Sequence, residues 1–581
     1  MKGVLRWVPM GLAILGGVLL ALCFPPFGWA DLVWVGLWPL MVGIWMRDSE
    51  RGAGRRGFGL GWLAGMVFWM VNLKWLATVT GPGYLILAAY LAVYFGVFGW
   101  FAATAGNPVR ERFRAETAFE GMGRSVLFAG GLGLFWCGLE WLRGWLFTGF
   151  GWNGLGVAFH ERIQVAQAAE LVGVTGLSFL PVFASAVLGQ ITMRFWRGAK
   201  EGQMERHWDF GVVLGLMTLV FIYGSSRISA VNGMAAEKLR VLLVQLDAPQ
   251  FAYKVELTPD EVHAGLEEET LKGLARVEAE NERLVAEAGG EEVELVGVDW
   301  VVWPEVVLYG PIFATAEGRQ MLPKSWETIE RMQGAGVRTL IAGINEYEAE
   351  TEEMIRAGEG TVYNSMIGVT GEELQVHRKQ HLVIYGEFIP LVDSVPLLGK
   401  IYEWVAGAPW AGNMGRGEGA EGFVLAGAGG EVGVIPSICF EDTVGRVTRK
   451  FSRDRPEVMV NLTNDGWFGT SEGSVQHFAN ARFRAIELRR PMMRAANRGV
   501  TGLVSATGSL VDFETGKRQV LEDEEGKPFV RGSVLVTARV PQDATRTLYA
   551  RWGDWFSVMG LGVGVVWWVV RKRLSVVSAK S

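Results

Sequence analysis

A chain of 581 residues, half of them hydrophobic and 25 of them Trp, is too apolar for an ordinary soluble protein of its size. The net charge of -6 averages two unlike parts, because the apolar segments lie before about residue 225 and after about 553 while most Glu lies between them. That distribution implies no nucleic-acid partner.

In chain order, segments with the roughly 20 apolar residues a membrane helix needs run near 7–23, 31–46, 58–78, 84–104, 126–147, 174–193, 208–224 and 554–570, eight spans in all. Lys2 and Arg6 before the first resemble a signal peptide. Further apolar segments follow at once without a small-residue cleavage site, so the first segment reads as an anchor. Basic residues fall in alternate short loops: Arg47, Arg51, Arg55 and Arg56; then Arg110, Arg112, Arg114 and Arg124; then Arg194, Arg197, Lys200 and Arg206. The positive-inside rule therefore puts those loops and the N-terminus in the cytoplasm and residues 226–553 outside. Arg571, Lys572 and Arg573 end inside only if the short seventh span also crosses.

Two features inside the spans carry a physical reading. Glu140 and Arg143 are three apart on one helical face, where each can offset the other's desolvation; they read either as a functional pair or as a structural pair orienting the Gly149–Trp152 loop. Gly560 and Gly564 match a close-packing motif of the last span. Of three cysteines, Cys23 and Cys137 fall in apolar segments. Cys439 does not, and in an oxidising compartment it is either an inert buried thiol or a reactive one.

From about residue 239 short β-branched runs alternate with polar helical stretches: Val241–Gln245, Val298–Trp303, Thr339–Ile344, Val362–Val369, Gly433–Cys439 and Val458–Leu462. This is α/β layering. Thr258-Pro259-Asp260-Glu261 is a capping box that opens a helix striped by Val262, Leu266, Leu274 and Val277, and the stretch from Ala411 to Gly430 reads as loop. Strand ends in α/β folds collect reactive groups. Here one such end carries Glu305, a second Cys439 and Glu441, and a third Asn464-Asp465. A thiol with an ordinary pKa near 8.5 needs a base to become a nucleophile, and the oxyanion it creates needs a cation. The stretch from His377 to Glu387, with Lys379, supplies candidates.

Trp303-Pro304-Glu305, Lys379-Gln380-His381-Leu382-Val383 with Gly386-Glu387, Cys439-Phe440-Glu441 and Asn464-Asp465-Gly466-Trp467-Phe468-Gly469 resemble the apolipoprotein N-acyltransferase family of the nitrilase superfamily. Gln476-His477, Arg484-Ala485-Ile486-Glu487, Arg494-Ala495-Ala496-Asn497, Phe24-Pro25-Pro26-Phe27-Gly28 and Glu140-Trp141-Leu142-Arg143-Gly144 extend it over nearly the whole chain. The resemblance implies a seven-helix membrane bundle at 1–225, a periplasmic nitrilase-like αββα sandwich at 226–552, and a last membrane helix with a cytoplasmic basic tail at 553–581. It places the chain in the bacterial inner membrane.

It further implies a ping-pong acyl transfer without cofactor or metal. Glu305 is general base, Lys379 stabilises the oxyanion, Cys439 is nucleophile, and Glu387 and Glu441 support them. The acyl donor is a phospholipid, typically phosphatidylethanolamine at sn-1, and the acceptor is the α-amine of an S-diacylglyceryl-cysteine at an apolipoprotein N-terminus. Trp404, Trp410, Trp467 and Phe468 are either ordinary core aromatics or a rim that meets lipid, which makes them candidate lipid contacts, the rim being favoured for Trp404 and Trp410. Phe440 stands where the family commonly has tyrosine, Ile384 where it has proline, and Leu246-Asp247 and Tyr253-Lys254 replace its usual pattern after Gln245.

Competing readings remain. Gly469-Thr470-Ser471-Glu472-Gly473 matches a serine-hydrolase elbow but follows a turn rather than a strand, and His377 and His381 have metal-ligand spacing but no third ligand cluster. At the level of function, the alternatives are a membrane-tethered amidase or nitrilase, and a non-catalytic nitrilase-like receptor.

Overall fold

The computed structural model describes residues 6–46, 52–108, 118–201, 207–248, 250–251, 254–255, 257–288, 292–406, 410, 412–427 and 429–578. Lys2, Arg47, Arg51, Arg110, Arg112, Arg114, Arg206, Tyr253 and Ala411, singled out above, lie outside them. The chain forms two compact units, Met1–Ser229 with Arg551–Ser581, and Ala230–Ala550.

The first unit is helical, with helices in all eight expected segments. Gly81–Ala103, Phe119–Arg143, Phe179–Gly198 and Trp208–Asn232 are long and apolar enough to cross a membrane, while Val8–Ala21 and Ala30–Trp45 are shorter apolar helices. The seventh segment, read as short, is a 25-residue helix. It continues past Gly224 because Arg227 pairs with buried Glu170 at 2.6 Å, which gives the charge a partner. Glu140 accepts from Trp136 Nε1 and Leu155 N, and Arg143 donates to Trp152 O at 2.9 Å and lies over the Trp69 ring. Both charges thus tie down the loop that follows their helix. A Cβ on Gly560 would sit 2.3 Å from Leu134 O, so the last helix packs backbone to backbone on Ala118–Arg143, as its glycine spacing anticipates.

The second unit is built on two large sheets, beside a short two-stranded pairing of Gln250–Phe251 with Lys254–Val255. The larger runs Gly532–Pro541, Ala236–Gln245, Trp300–Val302, Thr339–Glu348, Leu308–Thr315, Gly318–Met321, with Thr361–Thr370 on the other edge of Thr339–Glu348 and Glu373–Arg378 beyond it. The smaller runs Phe423–Ala426, Glu431–Ile438, Glu457–Thr463, Met492–Ala496, Gly502–Val504. Period-two alternation decides the layers. Leu239, Val241 and Leu243 join Val458, Val460 and Leu462 in one core between the sheets, while Leu242 and Val244 pack outward with Val262 and Leu266 of the Pro259–Ala288 helix. Met459 packs outward on the other side against Phe478, Ala481 and Ala485 of the Gly473–Leu488 helix. The result is an αββα sandwich.

The capping box forms, with Thr258 N donating to Glu261 at 2.7 Å. The expected loop from Ala411 to Gly430 needs correction. Phe423–Ala426 is a strand, paired antiparallel with Glu431–Val434, because Phe423 and Leu425 are buried between the sheets and Gly427 N closes a tight turn on Gly430 O at 2.7 Å.

Candidate active site

Glu305 is positioned by an interruption in a strand. Trp300–Val302 pairs with the first part of Thr339–Glu348, and the chain then leaves the sheet at 303–307 and rejoins the same edge as Leu308–Thr315. Pro304 O accepts from Gly343 N and Val307 N donates to Gly343 O, both at 3.0 Å. A Cβ at Gly343 would lie 2.3 Å from Val306 N, so only glycine lets this turn lie flat on its neighbour. Val306 has φ +47°, a strained value for a β-branched residue. The strain is held in place by those two ladder bonds and by Asn497 Nδ2, which donates to Glu305 O at 2.9 Å.

Cys439 comes from the other sheet. The strand Glu431–Ile438 ends in the short 3-10 turn Cys439–Thr443, and Cys439 itself has φ +54°. A left-handed non-glycine residue costs roughly 1–2 kcal/mol. Glu441 holds the turn by accepting from Ile438 N, Gln380 N and His381 N at 2.7–2.8 Å. One buried carboxylate therefore fixes both the Cys439 turn and the segment that follows Lys379. Asn461 Nδ2 donates to Cys439 O at 3.1 Å.

Lys379 directly follows the Glu373–Arg378 strand and is 1% exposed. Its Nζ donates to Glu387 Oε1 at 2.7 Å and lies 3.7 Å from Glu305 Oε1. Asn364 Nδ2 donates to Glu305 Oε1 at 2.8 Å and reaches Glu387 Oε1 at 3.4 Å. Two carboxylates thus share one ammonium and one amide.

Electrostatics divide the roles. Burial pushes the Glu305 carboxyl up, against the pull of Lys379, which suits a proton acceptor. Burial would lower Lys379, but Glu387 and then Glu305 outweigh it and keep it a cation. Burial, followed by the Glu305 charge, raises the Cys439 thiol, so at rest it is protonated. That thiol and the Glu305 carboxylate act on each other directly: the thiol favours the ionised carboxylate, and the carboxylate opposes the thiolate. Burial also raises the Glu441 carboxyl, against Lys379 and the three backbone donors. A thiol, a base in contact with it and a fixed cation within reach of both can attack a carbonyl carbon, store the acyl group on sulfur and pass it on.

Five of the singled-out residues, Glu305, Lys379, Glu387, Cys439 and Glu441, come together; the four aromatics do not join them as a group. Trp404 is 83% exposed on the Leu397–Ala406 helix beside exposed Leu397 and Ile401, Trp410 packs edge-on to Tyr402, Trp467 is partly exposed, and Phe468 meets the His477 ring edge-on. Ser471 donates its hydroxyl to Phe468 O at 2.6 Å within its own turn. His377 packs between Phe423 and Phe451, with burial and then Lys450 pushing it down to about 3, and His381 stacks on Phe440. Phe440 thus fills its place as a ring that packs, not as a hydroxyl. Asn364 is the residue the sequence reading passed over; a buried Asn amid the apolar residues of the Thr361–Thr370 strand was the available signal.

Comparison with known proteins places both units. A model of the apolipoprotein N-acyltransferase N-terminal domain matches residues 16–187, and one of carbon-nitrogen hydrolase matches 276–547. The apolipoprotein N-acyltransferase of Geobacter metallireducens is 28% identical over 95% of this chain and 94% of its own length. That of Methylococcus capsulatus is 29% identical over 96% and 95%. Among solved structures, a cysteine-to-alanine mutant of a Nesterenkonia AN1 amidase from the nitrilase superfamily aligns with 55% of this chain and 94% of its own, at 12% identity and a TM-score of 0.32.

Proposed function

The chain belongs to the apolipoprotein N-acyltransferase family, and from that premise we propose that it transfers an acyl chain from a phospholipid to the N-terminal amine of S-diacylglyceryl-cysteine on apolipoproteins. The observation that carries the mechanism is the cluster in which Lys379 stands between Glu387 and Glu305 while Cys439, at a strained strand-end turn, contacts Glu305.

In the first half-reaction Glu305 takes the Cys439 proton as sulfur attacks the ester carbonyl. Lys379 stabilises the tetrahedral oxyanion, and Glu305 returns the proton to the departing lysophospholipid oxygen. In the second, the acceptor amine attacks the thioester, Glu305 takes its proton, and sulfur leaves to recover it. A thioester acylates amines readily and the amide product is far less reactive, so this half runs downhill. Glu387 orients Lys379, and Glu441 holds the nucleophile turn. Trp404 and Trp410, with Trp467 and Phe468, are assigned to lipid contact; the exposure of Trp404, Leu397 and Ile401 on one short helix supports this for Trp404.

The same reading gives the chain eight spans in the bacterial inner membrane, with residues 226–552 in the periplasm and both termini in the cytoplasm. Alternation of the basic loops supports it. The test is transfer itself. Purified protein with phosphatidylethanolamine and a diacylglyceryl-cysteine peptide is expected to add one acyl chain to the peptide amine. Release of free fatty acid at the same rate with or without peptide would favour a hydrolase instead.

A further inference from the structure

Beside the Cys439 turn, four buried charged side chains that the chemistry above leaves unused close a ring. Asp442 lies in the turn that begins at Cys439, Asp465 opens the turn after the neighbouring strand Glu457–Thr463, Arg494 sits on the next strand, and His477 on the helix that covers this sheet. His477 Nε2 is 2.8 Å from Asp442 Oδ1, and its Nδ1 is 2.7 Å from Asp465 Oδ1. Arg494 Nη2 donates to Asp465 Oδ2 at 3.0 Å, and its Nε lies 3.4 Å from Asp442 Oδ2. Phe468 closes another side edge-on. Each of the four charged residues is at most 1% exposed.

Two ring nitrogens facing two carboxylate oxygens at these distances must both donate, so His477 is an imidazolium. Arg494 Nη2 also comes within 3.0 Å of Nδ1, but that nitrogen cannot accept from it while giving its proton to Asp465. Burial pulls His477 down, yet Asp442 and Asp465 outweigh it and hold it up at about 9. Two positive and two negative charges then balance within the ring. Thr463, at the end of the strand beside the Cys439 turn, donates its hydroxyl to Asp465 Oδ1 at 3.4 Å, and the same hydroxyl is placed to favour a thiolate at Cys439. A hydroxyl has one proton to give.

We propose that His477 is a positioning residue for the nucleophile: by engaging Asp465 and Asp442 it keeps the Asp465 hold on the Thr463 hydroxyl long and weak, so that the proton turns to the Cys439 sulfur as it ionises, and it ties the nucleophile turn to the neighbouring strand end. The assignment rests on Cys439 being the acyl carrier. Without the imidazolium, Asp465 competes for the Thr463 proton and an uncompensated carboxylate faces the developing thiolate.

The test follows iodoacetamide modification of Cys439 against pH in the full-length protein in detergent, read by peptide mass spectrometry. His477→Gln is expected to slow the reaction near neutral pH by about tenfold and to move its midpoint up by about one pH unit, the same free energy expressed two ways. The double variant His477→Gln with Asp465→Asn restores neutrality and recovers most of the rate. Thr463→Val leaves the ring intact, reproduces the upward shift and decides the matter if the His477 variant does not fold. A midpoint unmoved in Thr463→Val, or in a folded His477→Gln, overturns the proposal, as does a double variant slower than the single. Failure of the acyl-carrier reading would look different: normal alkylation of wild-type Cys439 but no acyl chain on it after exposure to phospholipid.

Discussion

Among the five residues that meet in the site, Glu305 has the narrowest requirement, since it must be ionised to accept a proton yet sits buried 3.7 Å from the cation that favours its ionised form. Glu305→Gln keeps the shape and the Asn364 contact but removes the base, so thioester formation should fall by about 10² to 10⁴, the usual range for general-base loss. Single-turnover mass spectrometry measures this; acyl-enzyme at the wild-type rate would remove Glu305 from the mechanism. Because burial raises the Glu305 carboxyl, the sign of the pH effect is fixed. The base is lost as pH falls through a folded value above the ordinary carboxylate range, so acyl-enzyme formation declines on the acid side earlier than an exposed glutamate would dictate. A flat acid limb down to ordinary carboxylate pH contradicts this.

At the scale of elements, the site depends on segments held at close range. A Cβ on Gly417 would lie 2.2 Å from Arg378 O, and Gly417 N donates to Lys379 O at 2.8 Å, so the 412–422 loop clasps the strand end that carries Lys379. Gly417→Ala is expected to cost about 1–3 kcal/mol by overpacking and to lower acylation more than Gly334→Ala, whose glycine has open space around it and an ordinary helical backbone; equal effects on activity would discount the clasp. The ring of His477, Asp442, Asp465 and Arg494 joins two strand ends, a third strand and a helix, and its stability has a direction. His477 is raised to about 9 in the folded state against about 6.5 unfolded. Its contribution is therefore complete below about 6.5 and lost as pH rises through about 9. The thermal midpoint should fall across that window, and His477→Gln should remove this part of the slope. Six strands of the sandwich were legible because β-branched residues alternate in them. Gly532–Pro541 was passed over although it alternates, Val534, Val536, Ala538 and Val540 facing the core and Ser533, Thr537 and Arg539 the other side, and Phe423–Ala426 hid among glycines. Glu305 lies beyond the end of Trp300–Val302, as read, but the turn at 303–307 that holds it flat before Leu308–Thr315 depends on Gly343, a neighbour distant in sequence. Asn364 was signalled only by its place in an apolar strand, and the contact of Thr463 with Asp465 by no local pattern.

For the whole molecule, the division into a helical unit and an αββα unit was legible because composition changes abruptly near residues 225 and 553. The helix through residue 232 outran its apolar stretch because an ion pair with Glu170, invisible in a hydropathy pattern, carries it further. The proposed sidedness rests on the alternation of basic loops, and it can be checked directly. In intact spheroplasts, Lys527→Cys should react with a membrane-impermeant maleimide, while Lys572→Cys should react only after permeabilisation; the opposite pattern would invert the topology. The central claim is that Cys439 carries the acyl chain, and intact-protein mass spectrometry after incubation with phosphatidylethanolamine tests it most directly. The wild-type protein is expected to gain one acyl chain on Cys439, labile to hydroxylamine and discharged by a diacylglyceryl-cysteine peptide, and Cys439→Ala to gain none; an adduct elsewhere, or the same mass gain in Cys439→Ala, would contradict the account.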